Sequence, residues 1–462
     1  MPVIRGLKVC ALLLVSGVAT ATAIAAPHAA AEPEPVTLFE HVNVVPMDLE
    51  RVLIDQSILV RGGTIAAIGP GIQAPVGATV IDGHGSQYVL PGLADMHVHS
   101  TTGRDMAVLL ANGVTTVLNM GGATPEFVDQ VVPKLNRGEL PGPHVYLSLR
   151  VDGTPEFGQL VIRSREQARA IVDIAKSNGY DFIKVYNNLS PEVFEALVAE
   201  GRRLSIPVVG HGVTRVGIER QLKAGQLMVA HAEEYLYTVF FPAGADVGNA
   251  PPRLDQIPAA IALTKRHGAY VTADLNTYAT IAAQWGKPEV VKSYLSMPAL
   301  RYLDPDDRIS WRFEGYDRRE GSLDERLKFL QVFVKSMADA GVPLLTGTDS
   351  PSTPGLVPGF ALHQDLHALE SAGLTRFQAL SAATRTPGEM IARAKPQAQR
   401  FGTIAVGMRA DLILAERNPL EDLSTLARPA GVMVQGHWSG ADKLNALLEA
   451  VKDKYEQAAH IH

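Results

Sequence analysis

Six residues that could form a metal site lie within, or just after, short apolar segments of this sequence. The first two, His97 and His99, are separated by Val98 alone, so on a strand both imidazoles point to the same side. Lys184 lies within a later apolar segment, and the remaining candidates end segments of their own. The six are His97, His99, Lys184, His211, His231 and Asp349. Their types predict a metal site built from nitrogen and oxygen ligands.

Any one of these residues alone has a simpler explanation. A lone histidine at a strand end is often a hydrogen-bonded structural residue, and a lysine flanked by apolar residues can extend its amine to the surface. The recurrence of such residues at the ends of successive segments favours a metal site, because in α/β barrels functional groups gather where the strands end.

Composition restricts the ligand types and the class of protein. The only cysteine of the 462-residue chain is Cys10, which excludes a disulfide framework and a thiolate metal site. Hydrophobic residues make up 46% and charged residues 19%, a balance that excludes a disordered chain. The net charge of −6, without a basic run, argues against nucleic acid as a partner. We therefore expect a small-molecule substrate, and the oligomeric state, a homo-oligomer included, is left open.

The centre of the chain, residues 91–398, alternates strand-like and helix-like segments, as in an α/β fold. The predicted helices include Arg165–Ser177, Pro191–Leu204, Asp324–Ala340 and Gln364–Ser371. Strict alternation predicts a parallel sheet, and eight strands predict a closed (β/α)8 TIM barrel. An open doubly wound sheet is the alternative, but the glycine-rich loop expected after its first strand is absent. The eight predicted strands are Leu93–His99, Val114–Met120, Val145–Arg150, Phe182–Tyr186, Val208–His211, Met228–His231, Tyr270–Leu275 and Leu344–Asp349.

The regions that flank this centre are rich in short β-like segments separated by glycine turns. Residues 36–90 and 399–440 share this texture, so we expect one small β-sandwich domain assembled from both ends of the chain. Residues 441–462 are predicted to form a C-terminal helix and tail. Between the seventh and eighth strands, residues 278–322 exceed an ordinary loop and are typical of a lid or pocket wall.

The first 31 residues are typical of a secretory signal peptide. Arg5 and Lys8 precede an apolar, alanine-rich run, and small residues near Ala25 and Ala31 offer cleavage sites. A membrane anchor is the alternative, for which the run is barely long enough. We expect cleavage, no stable membrane span afterwards, and an exported protein that is periplasmic or secreted.

One segment of the sequence resembles a family signature. Pro91–His99, which reads PGLADMHVH, is similar to the first-strand motif of the amidohydrolase superfamily. Lys184, His211, His231 and Asp349 match the later metal positions of that superfamily in order. The resemblance covers residues ~36 to ~440. Asp181–Tyr186 points to the prolidase- and imidazolonepropionase-like branch, which includes metal-dependent dipeptidases and carboxamidases.

This resemblance implies a site with two divalent metal ions. His97, His99 and Asp349 would hold one ion, and His211 with His231 the second. Lys184 would carry a CO2-derived carbamate that bridges them. Zn2+ is the first expectation for such a ligand set, with manganese or cobalt as alternatives. A bridging hydroxide would attack the substrate carbonyl, and Asp349 would pass its proton to the leaving nitrogen.

The expected function is that of a metal-dependent hydrolase acting on carbon–nitrogen bonds, here the amide bond of a dipeptide or N-acyl amino acid. Three residues are predicted to bind substrate, namely Arg150, Tyr186 and Tyr235. Arg150 suits a substrate carboxylate, although a structural ion pair is an equal alternative. The alternative functions are hydrolysis of cyclic amides, lactones or organophosphates, and solute binding by a catalytically silent relative.

Overall fold

The computed structural model describes residues 35–241 and 251–459. The predicted signal peptide, residues 1–31, lies outside these ranges. Among the helices in the described ranges, none combines the length and the apolar character needed to cross a bilayer.

Two sheets contain the seventeen strands of the described residues. One sheet has eight strands and the other has nine. In chain order the strands are β1 Val36–Val44, β2 Leu53–Arg61, β3 Thr64–Gly69, β4 Thr79–Asp82, β5 Tyr88–Pro91, β6 Leu93–Val98, β7 Val114–Asn119, β8 His144–Asp152, β9 Leu160–Val161, β10 Phe182–Val185, β11 Val208–Gly210, β12 Met228–Val229, β13 Tyr270–Thr272, β14 Leu344–Leu345, β15 Leu412–Ala415, β16 Gly431–Val434 and β17 His437–Gly440.

Fourteen α-helices of the described residues connect or flank these strands. They are α1 Gly103–Ala111, α2 Val132–Asn136, α3 Arg165–Ser177, α4 Pro191–Leu204, α5 Ile218–Ala224, α6 Ile257–His267, α7 Leu275–Gln284, α8 Pro288–Tyr294, α9 Pro305–Trp311, α10 Asp324–Asp339, α11 Phe360–Ser371, α12 Arg376–Ala383, α13 Arg385–Ala394 and α14 Ala441–Ala459.

Eight parallel strands form the predicted barrel, which is confirmed. Strands β6, β7, β8, β10, β11, β12, β13 and β14 pair in that order. The first and last members meet where the Met96 amide donates to the Thr346 carbonyl at 3.0 Å and the His99 amide to the Ser350 carbonyl at 2.7 Å. All eight predicted strands are present, although Leu275 already belongs to α7 rather than to the seventh strand. The strand residues are almost all buried, as expected for a parallel sheet covered by helices.

Local capping explains why the predicted helices form where they do. Ser164 begins α3 by accepting a hydrogen bond from the Gln167 amide, and the Gln167 side chain returns to the Ser164 amide. Ser190 caps α4, whose first residue is Pro191. Proline is well tolerated there because the first amides of a helix have no partner within the helix. Both helices have the predicted limits.

The second sheet joins the two ends of the described chain, which confirms the composite β domain. Strand β5 pairs antiparallel with β15, so that Pro91 lies opposite Leu412. Arg409, just before β15, connects this domain to the barrel through hydrogen bonds from its guanidinium to Asp411 and to Thr116 of β7, each 2.6 Å long. The predicted domain limits themselves remain predictions.

The long segment between the last two barrel strands is helical rather than an open loop. It contains α7, α8 and α9, and Trp311 at the end of α9 is buried. The Trp311 indole donates to the carbonyl of Pro351, 2.7 Å away and two residues beyond Asp349. This helical segment therefore packs against the turn that carries Asp349.

Candidate metal centre

The carboxyl ends of the barrel strands bring the six predicted metal-site residues together. His97 lies at the end of β6 and is completely buried, and the ring centroids of His97 and His99 are 5.4 Å apart. The Lys184 amine, from β10, is 3.1 Å from Nε2 of His97. The His97 ring centroid is 6.4 Å from that of His211 and 4.4 Å from that of His231. The four histidines therefore surround one point.

Asp349 lies opposite the first histidine pair. Its Oδ1 atom is 3.2 Å from Nε2 of His97 and 3.0 Å from Nε2 of His99. Burial alone would raise the pKa of Asp349, but His97 and His99 hold it well below its usual range. The carboxylate therefore stays ionised, as a metal ligand or proton acceptor must.

Two carboxylates that the sequence analysis missed hold the second histidine pair. Glu234 Oε1 lies 2.5 Å from Nδ1 of His211, and Asp274 Oδ2 lies 2.5 Å from Nδ1 of His231. Each contact fixes a ring through one nitrogen and leaves Nε2 for a ligand. Position alone offered a signal for both, since Glu234 lies three residues after His231 and Asp274 is next to last in the seventh predicted strand. Nothing in the sequence paired these carboxylates with the two histidines.

Three residues of the centre have a left-handed backbone. The φ angles are +71° for His231, +47° for Asp274 and +52° for Asp349. Such conformations cost on the order of 1–3 kcal/mol for non-glycine residues and tend to persist at functional sites, where surrounding structure holds them. Here each one occurs just after a barrel strand, where the chain turns.

The donor set fits a divalent metal ion. His97, His99 and Asp349 form one group whose ligand atoms all lie within 4.8 Å of one another, and His97, His231 and Asp274 form another. In the described part of the chain, Nε2 of His211 is buried without a hydrogen-bond partner. A metal ion that binds nitrogen and oxygen would give these buried imidazole and carboxylate atoms the partner that they lack.

Lys184 is buried in the same centre, where its amine cannot act as an ordinary surface cation. Burial lowers the pKa of Lys184 to about 7, and the charge of Arg150 contributes in the same direction. Asp349 and Asp274 oppose this shift. A substantial fraction of the amine is therefore neutral near pH 7, which is the form that reacts with CO2.

A cavity of about 110 Å3 opens beside the centre. It combines predicted metal ligands with other polar and apolar side chains. The lining residues are Tyr186, His211, His231, Glu233, Ala273, Asp274, Thr277, Tyr278, Ile281, Leu330 and Asp349.

Two of the three predicted substrate residues lie at this end of the barrel. Tyr186 lines the cavity and stacks on His211, with 3.8 Å between ring centroids. Arg150 lies directly opposite Lys184 in the pairing of β8 with β10, and its Nε atom is buried with no hydrogen-bond partner among the described residues. Tyr186 is therefore placed for substrate contact, whereas Arg150 lies beside Lys184 and is not among the residues that line this cavity.

Tyr235 lies elsewhere. It is fully buried in the hydrophobic core beside Phe240 and Phe333, and its hydroxyl lies 2.6 Å from Oγ1 of Thr264. It does not line the cavity. The placement corrects the expectation of a substrate contact, because the short helical turn after His231 rotates Tyr235 inward.

A barrel with a ring of histidine, lysine and aspartate at its strand ends is the arrangement typical of TIM-barrel proteins that have a metal centre. The sequence model of the Amidohydrolase family matches residues 88–439, and the chain belongs to that family.

Comparison with individual proteins gives more distant similarities. Ochratoxinase from Aspergillus niger is 25% identical over 288 residues, which are 61% of this chain and 48% of the fungal protein. This match thus spans about half the length of that relative. Among solved structures, a bottromycin amidohydrolase superposes with a TM-score of 0.70 at 25% identity, covering 90% of each chain. A Xaa-Pro dipeptidase with bound methionine gives 0.66 at 20% identity, over 88% of this chain and 100% of the other, which shows the fold alone.

Proposed function

We propose that this protein is an exported binuclear metal hydrolase that cleaves the amide bond of a dipeptide or an N-acyl amino acid. The observation that carries the proposal is the convergence of four histidines, Lys184 and Asp349 beside one cavity at the strand ends. Export rests on the signal-peptide pattern of residues 1–31.

The residues present define how two ions would be held. His97, His99 and Asp349 would hold one ion, and His211 and His231 the other. The neutral amine of Lys184 would react with CO2 and release a proton, and the carbamate formed would be a carboxylate-like ligand. Zn2+ suits this nitrogen and oxygen set. When bound, divalent ions lower the pKa of a coordinated water and polarise a carbonyl oxygen.

Asp349 supplies the proton transfer that amide cleavage needs. A water adds to the scissile carbonyl as its proton passes to the Asp349 carboxylate. That proton then goes to the leaving nitrogen as the carbon–nitrogen bond breaks, which yields a carboxylic acid and an amine. Because its pKa lies well below the usual range, Asp349 is present as the carboxylate, which is the form that a proton acceptor requires.

Arg150 and Tyr186 orient the substrate. Arg150 has a buried Nε atom that a substrate carboxylate can satisfy, and a guanidinium binds such a group through two hydrogen bonds. Tyr186 is fixed in place by stacking on His211 and offers its hydroxyl to the cavity. The scissile carbonyl then lies between these two residues and the metal-site histidines.

A substrate panel tests the proposal directly. Mature protein produced with added zinc and bicarbonate is assayed on dipeptides, N-acyl amino acids and lactones, with Asp349→Asn and chelator-treated protein as controls. Turnover of the amides that is lost in both controls supports the proposal. Turnover of lactones alone, or tight binding of the amides without turnover, contradicts it.

A further inference from the structure

Glu233 is a charged residue of the cavity wall that none of the steps above uses. It lies two residues after His231, and the wall around it includes the apolar side chains of Ala273, Ile281 and Leu330. On the metal-site side, His231 favours the ionised form of Glu233, whereas the charges of Asp274 and Asp349 oppose it.

The other acidic side chains of this wall already have partners. Glu234 holds His211, Asp274 holds His231, and Asp349 contacts His97 and His99. The backbone carbonyl of Glu233 accepts from the Leu236 amide, but its side chain has no hydrogen bond or ion pair with any residue in the described ranges. Its carboxylate is therefore available to a molecule in the cavity.

Arg326 of α10 is the nearby cation that could neutralise Glu233, but it points elsewhere. Its guanidinium lies over the ring of Phe241, 5.5 Å from the centroid, and it also interacts with Tyr278. No Arg326 nitrogen reaches within 4.0 Å of a carboxylate oxygen among the described residues. The Glu233 carboxylate therefore faces the cavity with no arginine or lysine of the described residues within 4.0 Å.

Apart from the metal-site histidines, the remaining polar groups of the wall do not supply a cation. Tyr186 and Tyr278 are neutral, and Thr277 donates its hydroxyl hydrogen to the carbonyl of Thr348 at 2.9 Å. A partly buried carboxylate in such surroundings favours a positively charged ligand, because a desolvated charge is stabilised chiefly by an opposite charge.

We propose that Glu233 binds the protonated amine of the acyl half of the substrate, so that the enzyme prefers dipeptides with a free amino end over N-acyl amino acids. In a dipeptide that ammonium is attached to the carbon next to the scissile carbonyl. The ammonium therefore lies close to the metal ligands when the carbonyl is bound. Glu233 also lies close to them, because it is two residues from His231. Ala273, Ile281 and Leu330 then contact the side chain of the same residue.

The inference rests on the proposed amide hydrolysis and deepens it. It assigns opposite ends of the substrate to opposite charges of the chain, with the amine at Glu233 and the carboxylate at Arg150. It also distinguishes dipeptides from N-acyl amino acids, between which the sequence and the barrel fold do not choose.

The test uses two substrates that differ only in the amine. Zinc-loaded protein and its Glu233→Gln variant are assayed on alanyl-phenylalanine and propionyl-phenylalanine. We expect the unmodified protein to prefer the dipeptide, and Glu233→Gln to lower kcat/KM on it by about ten- to a hundredfold while barely changing the propionyl compound. Zinc content serves as the readout of an intact centre, and Glu219→Gln, on the exposed face of α5, is the matched control.

Equal losses on the two substrates, or none on either, would overturn the role of Glu233 and leave amide hydrolysis standing. If the unmodified zinc-loaded protein cleaves neither compound nor any other amide of the panel, the proposed function fails first. A Glu233→Asp variant that restores part of the preference for the dipeptide would further support recognition by charge.

Discussion

The Asp274 carboxylate lies 2.5 Å from Nδ1 of His231, in a contact that neither residue type nor spacing revealed. The same oxygen is 3.6 Å from Nδ1 of His97, so one acidic side chain touches histidines of the first and sixth barrel strands. Burial alone would lower the pKa of His231, yet Asp274 raises it to about 9. Asp274 thus orients the ring and strengthens the base that binds a metal.

Removing this carboxylate should weaken metal binding. We expect Asp274→Asn and Glu234→Gln each to lower the affinity for Zn2+ by about ten- to a hundredfold, because the partner of a ligating histidine fixes its tautomer and orientation. Competition with a chromophoric chelator measures the affinity. Glu233→Gln is the control, since it removes a carboxylate of the same wall that touches no histidine ligand. Unchanged zinc affinity in Asp274→Asn would show that the contact serves packing only.

Lys184 should act only as the carrier of a carboxylate. We expect Lys184→Ala to lose most activity and bound metal, and added short-chain carboxylates to restore part of both, because they can occupy the space of the carbamate. Metal content by elemental analysis and steady-state rates provide the readouts. Lys176→Ala, on the exposed face of α3, is the control. Full activity without added carboxylate would mean that Lys184 is merely a packed strand residue.

Arg150 should determine recognition of the substrate carboxylate. We expect Arg150→Met to lower kcat/KM on free-acid substrates by roughly ten- to a hundredfold, since a charge-assisted contact is worth ~1.5–3 kcal/mol. Amidated analogues of the same substrates should respond little, and bound zinc should not change. Arg220→Met, at an exposed ion pair with Glu195, is the control. Equal losses on charged and amidated substrates would instead assign Arg150 to the scaffold.

Tyr235 should matter for stability and not for catalysis. We expect Tyr235→Phe to reduce the free energy of unfolding by ~0.5–1.5 kcal/mol, because it removes the buried hydrogen bond to Thr264. Urea denaturation measures this change, and kcat/KM should stay unchanged. Tyr186→Phe, on the cavity wall, provides the opposite case, with altered kinetics and little loss of stability. A kinetic defect in Tyr235→Phe would restore the original prediction for that residue.

Asp307 of α9 should make stability depend on pH. Burial and the nearby Asp105, Asp304 and Asp306 raise its pKa from 3.8 to about 7, so the folded protein binds this proton more tightly than the unfolded chain. The contribution is therefore favourable at low pH and is lost as the pH rises from about 4 to about 7. Asp307→Asn should raise the Tm at about pH 8 and have a smaller effect at about pH 5. A gain that is equal at both values would contradict the role of ionisation.

The amino-acid sequence by itself determined the barrel and the chemistry of the site. Hydrophobic segments of strand length alternating with helical ones predict a parallel barrel, because each strand needs apolar cover on both faces. His97, His99, His211 and His231 could be selected because they stand at or near the ends of those segments, and Lys184 because it is a lysine within one of them. The two terminal regions share short β-like segments separated by glycine turns, a pattern that predicted one domain.

Only the tertiary structure decided the contacts made by side chains far apart in sequence. Asp274 and Glu234 acquire their roles from the barrel closing around His231 and His211, which no local pattern encodes. Tyr235, adjacent to Glu234, turns into the core because His231 itself has a left-handed backbone and a helical turn follows it. Local spacing constrains which face a residue occupies within one element, whereas the packing of several elements sets what that face meets.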